Sequence, residues 1–433
     1  MIYTYFIIIF FIGLYHRKNK NPEEYLYLSR NLTLPSFIAT IVTTWYGGIL
    51  EIGRFSYING IVTWFIFGFF YYISAIIFAL YIGPQIHKNN IHSIPQYFNN
   101  QYGLIPEKIT SIILILVSSP APYLMILSTI LIHIFNINFN IALIFGIIFS
   151  ITYIYSGGLK SIIKTDLVQF VFMYLGFFVI LLYLIYNFGG LDYLISNVPS
   201  KNLTLTGNLP IGYILSWSLI AMITFIDPSI FQRVYSSKDT YVIKKGLLIS
   251  VVLWLIFDIL TISVGIYASA IIDSQTLNNA NPYLFLADTY LPTVLKNIFY
   301  IGLLSIVMST IDSFFFVSSI TIGNDLISSK NASFNTKIGL LVTAIISYII
   351  AIKFKFVIDI WYIFGSIAAS SLLIPFLFTL FYKKRKLRFP ILALILPILI
   401  SLFWIYFDYP YGLDLMYPGI LVSLIVCLFS KSN

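Results

Sequence analysis

Charge is scarce in this sequence: 9% of its 433 residues are Asp, Glu, Lys or Arg, while 59% are hydrophobic. A soluble domain carries roughly a quarter charged residues to face water, so the shortage excludes a soluble enzyme or a nucleic-acid binder and leaves an integral membrane chain. Cysteine is almost absent. Cys427 alone can form neither an internal disulfide nor a metal cluster, and packing is the role left to it. Histidine is nearly as rare. His16, His87, His92 and His133 all fall near the ends of apolar runs and make no HExxH or similar motif, so an intramembrane hydrolase lacks convergent catalytic groups.

What is present is a succession of long apolar runs. A bilayer-crossing helix needs about 20 mostly apolar residues, and irregular backbone cannot face lipid, so the chain divides at its charged and turn-rich breaks. About thirteen spans are predicted, near 2–15, 35–57, 60–83, 109–133, 138–157, 164–187, 211–232, 245–271, 295–325, 336–353, 357–382, 389–407 and 414–430. The first apolar run precedes rather than follows its basic cluster and has no A-x-A-like cleavage site, which predicts a retained span rather than a signal peptide. Residues 91–103 read as a short interfacial helix, and no internal repeat is visible in the sequence itself.

The net charge of +9 reports orientation. With an external N-terminus and a cytoplasmic C-terminus, the inside segments 16–34, 84–108, 158–164, 233–245, 326–337, 383–388 and the C-terminal tail hold four, two, two, four, two, five and one basic residues. The outside loops hold only Lys201, Lys296, Lys353 and Lys355, as the positive-inside rule requires. The run Lys383-Lys-Arg-Lys-Leu-Arg388 anchors a span end on this reading, with binding of anionic lipid or nucleic acid as the alternative.

Inside a membrane, ionisable and helix-breaking residues are costly unless they line a cavity or find a partner. In span two, Thr43-Thr-Trp-Tyr-Gly-Gly48 precedes Glu51 and Arg54. Paired glycines loosen a helix and free carbonyls for a cation; the plainer reading is a close helix contact with a Glu51–Arg54 ion pair. Span nine carries Ser305, Ser309, Thr310, Asp312 and Ser313 within nine residues, hard oxygen ligands of the kind a small alkali cation needs, although hydroxyls also bond back to their own helix. Span seven carries Thr224-Phe-Ile-Asp-Pro-Ser229, either a second broken helix or an ordinary helix end. Asp258 and Asp359 are candidates for pairing or proton uptake, and Pro120 with Pro122 predict a kink in span four. Spans two to six (35–187) and seven to eleven (211–382) each open on an interrupted helix, the pattern of an inverted-repeat secondary transporter, with 389–430 forming two additional C-terminal spans.

These residues resemble the sodium/solute symporter family, which includes sodium-coupled proline, pantothenate and sugar carriers. The resemblance covers most of the chain. It rests on Tyr25-Leu-Tyr-Leu-Ser-Arg30, Ser156-Gly-Gly-Leu-Lys160 with Thr165-Asp-Leu-Val-Gln169, Asp227-Pro-Ser-Ile-Phe-Gln-Arg233 with Ser237-Lys-Asp239, and Met308-Ser-Thr-Ile-Asp-Ser313 with Asn324-Asp325, in that order. It implies an all-α membrane protein with a leucine-transporter-type five-plus-five core, and a sodium ion between the unwound part of span two and span nine. Its ligands would be the carbonyls of Thr43, Tyr46 and Ile306 and the hydroxyls of Ser309 and Thr310. Asp166 resembles a family aspartate on the inward ion-release path. The solute would lie beside the ion among Thr44, Trp45, Gly48, Glu51, Trp217 and Thr224. The stretch Ile49-Leu-Glu-Ile-Gly-Arg54 departs from the polar pattern of sugar carriers, leaving the solute class open.

The expected function is therefore sodium-coupled import of a small polar organic solute through the cell membrane by alternating access. Its partners are solute, sodium and lipid, with no nucleic acid and no obligatory protein partner. The alternatives are a proton-coupled carrier of the same fold using Asp258, Asp312 or Glu51, an inactive carrier, or a membrane sensor. Sensor relatives carry a cytoplasmic signalling domain, whereas this sequence ends soon after span thirteen.

Overall fold

The computed structural model describes all residues except 16–20, 208, 279, 328–330, 383–385, 411–413 and 430–433. Several basic residues of the orientation argument, among them Arg17, Lys18, Lys20, Lys330, Lys383 to Arg385 and Lys431, lie outside the described residues.

The described chain is almost entirely helical between its turns, and Leu32 and Ser237 meet in an isolated backbone bridge. In order, the principal helices are α1 (Ile2–Leu14), α2 (Leu34–Trp45), α3 (Ile49–Asn59), α4 (Val62–Lys88), α5 (Ile94–Tyr102), α6 (Leu104–Phe135), α7 (Phe139–Gly157), α8 (Leu159–Phe188), α9 (Ile211–Ser236), α10 (Thr240–Ile271), α11 (Thr293–Ile327), α12 (Ala332–Lys353), α13 (Val357–Phe381), α14 (Pro390–Tyr406) and α15 (Met416–Phe429). Among the described residues nine of these, α4, α6 to α13, are long and apolar enough to cross a membrane. The apolar helices α1, α2, α14 and α15 are shorter, at 10–17 residues. The protein is a multi-pass membrane protein. Helix α5 stands where the interfacial helix was expected, capped by Ser93, whose hydroxyl accepts from the amide of Gln96.

Burial is arranged for a lipid surround. On α12 the outward residues are Leu341, Ile345, Ile349 and Ile352, while Gly339, Thr343, Ser347 and Ala351 face inward. Lipid tails are as apolar as leucine, so large aliphatic side chains gain little by turning in, and small residues let helices approach closely. Gly176 of α8 and Gly302 of α11 meet in this way: a Cβ on Gly176 would lie 3.1 Å from the Cα of Gly302. Helix α11 is buried on every side from Phe299 to Ile320.

Three interruptions disturb the regular helices. Helix α2 stops at Trp45 and α3 restarts at Ile49, with Tyr46, Gly47 and Gly48 between them. Helix α9 tightens to 3₁₀ geometry over Ala221–Ile226, extends at Asp227 and resumes at Pro228. Helix α6 breaks after Val117, where Ser118 to Pro120 lead into Ala121. Proline lacks an amide donor and fits the first turn of a new helix, which accounts for the last two breaks.

Candidate functional site

Two of these interruptions face one another across a cavity of about 180 Å³, roomy enough for one small organic molecule. Its walls come from the α2–α3 break (Thr44, Trp45, Tyr46, Gly48), α4 (Phe67, Tyr71), α6 (Ser119, Tyr123), the broken part of α9 (Trp217, Thr224, Asp227, Arg233), Trp254 of α10, Phe314 of α11 and Trp361 of α13. A break permits this because a helix that stops leaves backbone groups free to face a ligand. The glycines set how closely the walls approach. A Cβ on Gly48 would lie 2.1 Å from Cη2 of Trp361, and one on Gly47 would lie 2.5 Å from Tyr123 and 2.6 Å from Thr310. Gly48→Ala is expected to lower thermal stability by about 1–3 kcal/mol through this overpacking. Adding Trp361→Phe, which withdraws the crowding ring edge, should recover most of the loss in a melting experiment; a G48A variant melting like the parent would refute the close approach.

Beneath the cavity lies a buried polar network joining α2, α8, α9 and α11. The Ser309 hydroxyl donates to Oδ1 of Asp166 at 2.6 Å, and the Thr40 hydroxyl donates to the other oxygen of the same carboxylate. Arg233 is fully buried. Its Nη2 donates to Ser313 Oγ at 2.6 Å and to Thr40 Oγ1 at 3.3 Å, and its Nη1 donates to Gln232 Oε1 at 2.9 Å. Arg233 and Asp166 are thus joined through the Thr40 hydroxyl, each offsetting the other's charge where water cannot. Thr310 donates to the carbonyl of Thr44 at 3.0 Å and to that of Ile306 at 3.1 Å, and the Thr44 and Ser313 hydroxyls meet at 2.9 Å. Helix α11 is therefore tied to the last turn of α2 beside the break.

The expected residues fall into two sets. Thr44, Trp45, Gly48, Trp217 and Thr224 line the cavity, as does Tyr46, while Thr43, Ile306, Ser309, Thr310 and Asp166 cluster beneath it. The Thr43 hydroxyl donates to Ala39 O at 2.9 Å and the Tyr46 hydroxyl to Trp254 O at 2.9 Å. Glu51 stands apart. With Arg54, His133 and Lys355 it borders a separate recess, because it projects from α3 beyond the break. Among the described residues Glu51 and Arg54 form no ion pair; the ion pairs there are His133–Asp288, Lys160–Glu24 and Lys296–Asp288. Asp359 lies exposed in the first turn of α13. Asp258 is buried and accepts from the Tyr72 hydroxyl, as Asp312 does from Tyr153.

Sequence reasoning overlooked Thr40, Arg233 as a network member, Tyr71, Tyr123 and Trp361. For Thr40 a signal existed: Thr40 and Thr44, like Ser309 and Ser313, are four apart and share a helix face. The aromatic residues gave none, in a chain whose aromatic content is 18%.

The sequence pattern of the sodium:solute symporter family matches residues 26–395. No curated protein sequence matches the chain. The fold is similar to that of a Na+-coupled sialic acid symporter solved in a substrate-bound outward-open state, with a TM-score of 0.83 at 15% identity over 99% of this chain and 96% of that one. Two mutants of the manganese transporter of Eremococcus coleocola are similar at 14% identity, each covering 95% of both chains, with TM-scores of 0.53 and 0.52.

Proposed function

Because the chain belongs to the sodium:solute symporter family, we propose that it carries a small polar organic solute into the cell together with sodium, by alternating access. The observation that carries this reading is the α2–α3 break, held against Thr310 of α11 and opening onto a solute-sized cavity. On this reading sodium takes the carbonyls of Thr43, Tyr46 and Ile306 and the hydroxyls of Ser309 and Thr310. The solute sits above among Thr44, Trp45, Gly48, Trp217 and Thr224; Glu51 borders the outer recess instead. Asp166 receives the ion on its inward path, since Ser309 already contacts it.

Thirteen crossings, an external N-terminus, a cell-membrane location and two five-helix repeats over 35–187 and 211–382 belong to the same proposal, with the breaks in α2–α3 and α9 opening the two halves. Coupling is reciprocal. Sodium that stabilises the break in its solute-ready form must raise solute affinity by the factor by which solute raises sodium affinity.

Liposomes containing the protein and given an inward sodium gradient should accumulate a solute from a panel of amino acids, sugars, carboxylates and vitamins, and a potassium gradient should not replace sodium. Accumulation indifferent to sodium would reject the coupling. A second reading, proton coupling, draws on Asp258 and Asp312, each buried in a long apolar helix and bonded to a tyrosine hydroxyl. Uptake driven by a pH gradient in sodium-free medium would favour it.

A further inference from the structure

Resting on the symporter reading, we infer that the central cavity takes a solute bearing an amine or quaternary ammonium group, held over aromatic faces and against the carboxylate of Asp227. Two charged side chains reach the cavity among the described residues, Arg233 and Asp227. Arg233 is occupied: besides Ser313 and Thr40 it donates to Gln232 and the Ser229 carbonyl, and its charge is offset first by Asp166 and then by Asp227. An anionic solute would have to dismantle that network. Asp227 differs. Its Oδ1 takes three hydrogen bonds, from the Ser229 amide at 2.8 Å, the Ser229 hydroxyl at 2.6 Å and the Ile230 amide at 3.0 Å. Among the described residues Oδ2 has no such bond, so half of the carboxylate is left for a ligand.

Four of the wall's aliphatic hydroxyls are likewise engaged. Thr44 is bonded to Ser313 at 2.9 Å, Thr224 to Ala221 O at 2.8 Å, Ser229 to Asp227 at 2.6 Å, and Ser119 to Ser347 at 3.4 Å. The indole N–H groups of Trp217, Trp254 and Trp361, by contrast, have no hydrogen-bond partner among the described residues and are left as donors.

The wall also offers π surface. Trp45 and Tyr71 stand edge to face with centroids 5.0 Å apart, and Tyr123 is inclined to Phe314 at 5.0 Å and to Trp361 at 6.0 Å. Rings contributed by α2, α4, α6, α11 and α13 line the cavity, and an aromatic lining of this kind holds an ammonium group by cation–π attraction. One carboxylate oxygen beside them supplies the counter-charge.

The test is intrinsic tryptophan fluorescence of the purified full-length protein, titrated in sodium or potassium with choline, glycine betaine, D-glucose and acetate. Choline and glycine betaine should bind, more tightly in sodium, and D-glucose and acetate should not. Asp227→Asn keeps the helix cap, because asparagine caps as well as aspartate, so its expected tenfold or greater loss of choline affinity isolates the charge. Trp45→Leu should weaken choline binding several-fold, while Trp45→Phe keeps most of it. Preference for D-glucose or acetate, silence of both ammonium probes, or Asp227→Asn binding choline like the parent would each overturn the inference. If sodium still raises the melting temperature in those cases, the symporter reading stands. Choline binding that depends on Asp227 but ignores sodium would uphold the cage and reject the coupling.

Discussion

Replacing both Ser309 and Thr310 with alanine should abolish sodium activation at any attainable concentration, while the protein still inserts and folds. Each hydroxyl is a fully buried hard oxygen, and on the proposed site its loss would leave the desolvated ion one ligand short. A lost partner in such a site costs about 1–3 kcal/mol, so each single variant should raise the half-saturating sodium concentration by about 5- to 150-fold. The two variants differ in kind. Ser309→Ala leaves Asp166 with its bond from Thr40, whereas Thr310→Ala also unties α11 from the Thr44 carbonyl at the helix break. Thr310→Ala should therefore weaken the mutual enhancement of sodium and solute more strongly. Sodium titrations of solute uptake and of melting temperature measure both quantities; an unchanged sodium response in the double variant would remove the proposed ion site.

Arg233→Met is expected to be the most destabilising single change. The guanidinium it removes is fully buried and serves Ser313, Thr40, Gln232 and the Ser229 carbonyl, and it leaves Asp166 without its counter-charge. Removing one member of a buried pair costs about 3–5 kcal/mol, mostly through the charge left behind. Arg233→Met combined with Asp166→Asn should melt closer to the parent than Arg233→Met alone, since the stranded carboxylate is then gone. The rescued protein should nevertheless respond poorly to sodium, because Asp166 accepts from Ser309 of the proposed ion site. A melting temperature for Arg233→Met equal to the parent's would show that the network bears no weight.

Much of the proposed ion site was legible because it is carried by contiguous residues. Ser309-Thr310 and Gly47-Gly48 are local irregularities in apolar runs, and an irregularity inside a membrane announces a cavity or a partner. Glu51 was grouped with the cavity because it lies three residues from Gly48, yet α3 restarts at Ile49 and directs it to another recess. Chain proximity ceases to imply spatial proximity across a broken helix. Asp227 was legible as a helix break, but its open carboxylate oxygen was not, since that depends on Ser229 and Ile230 satisfying the other oxygen.

By itself the sequence determined the environment, the helical character and the places where helices fail. Those follow from composition, from the length of apolar runs, and from glycine and proline acting on their own backbone. Only the tertiary structure decided which failures face one another and which charges cancel. Thr40, Asp166, Arg233 and Ser309 lie far apart in the chain, and long-range packing around α11 brings them into one network. That packing also engages Arg233 and leaves one carboxylate oxygen of Asp227 without a protein hydrogen bond among the described residues.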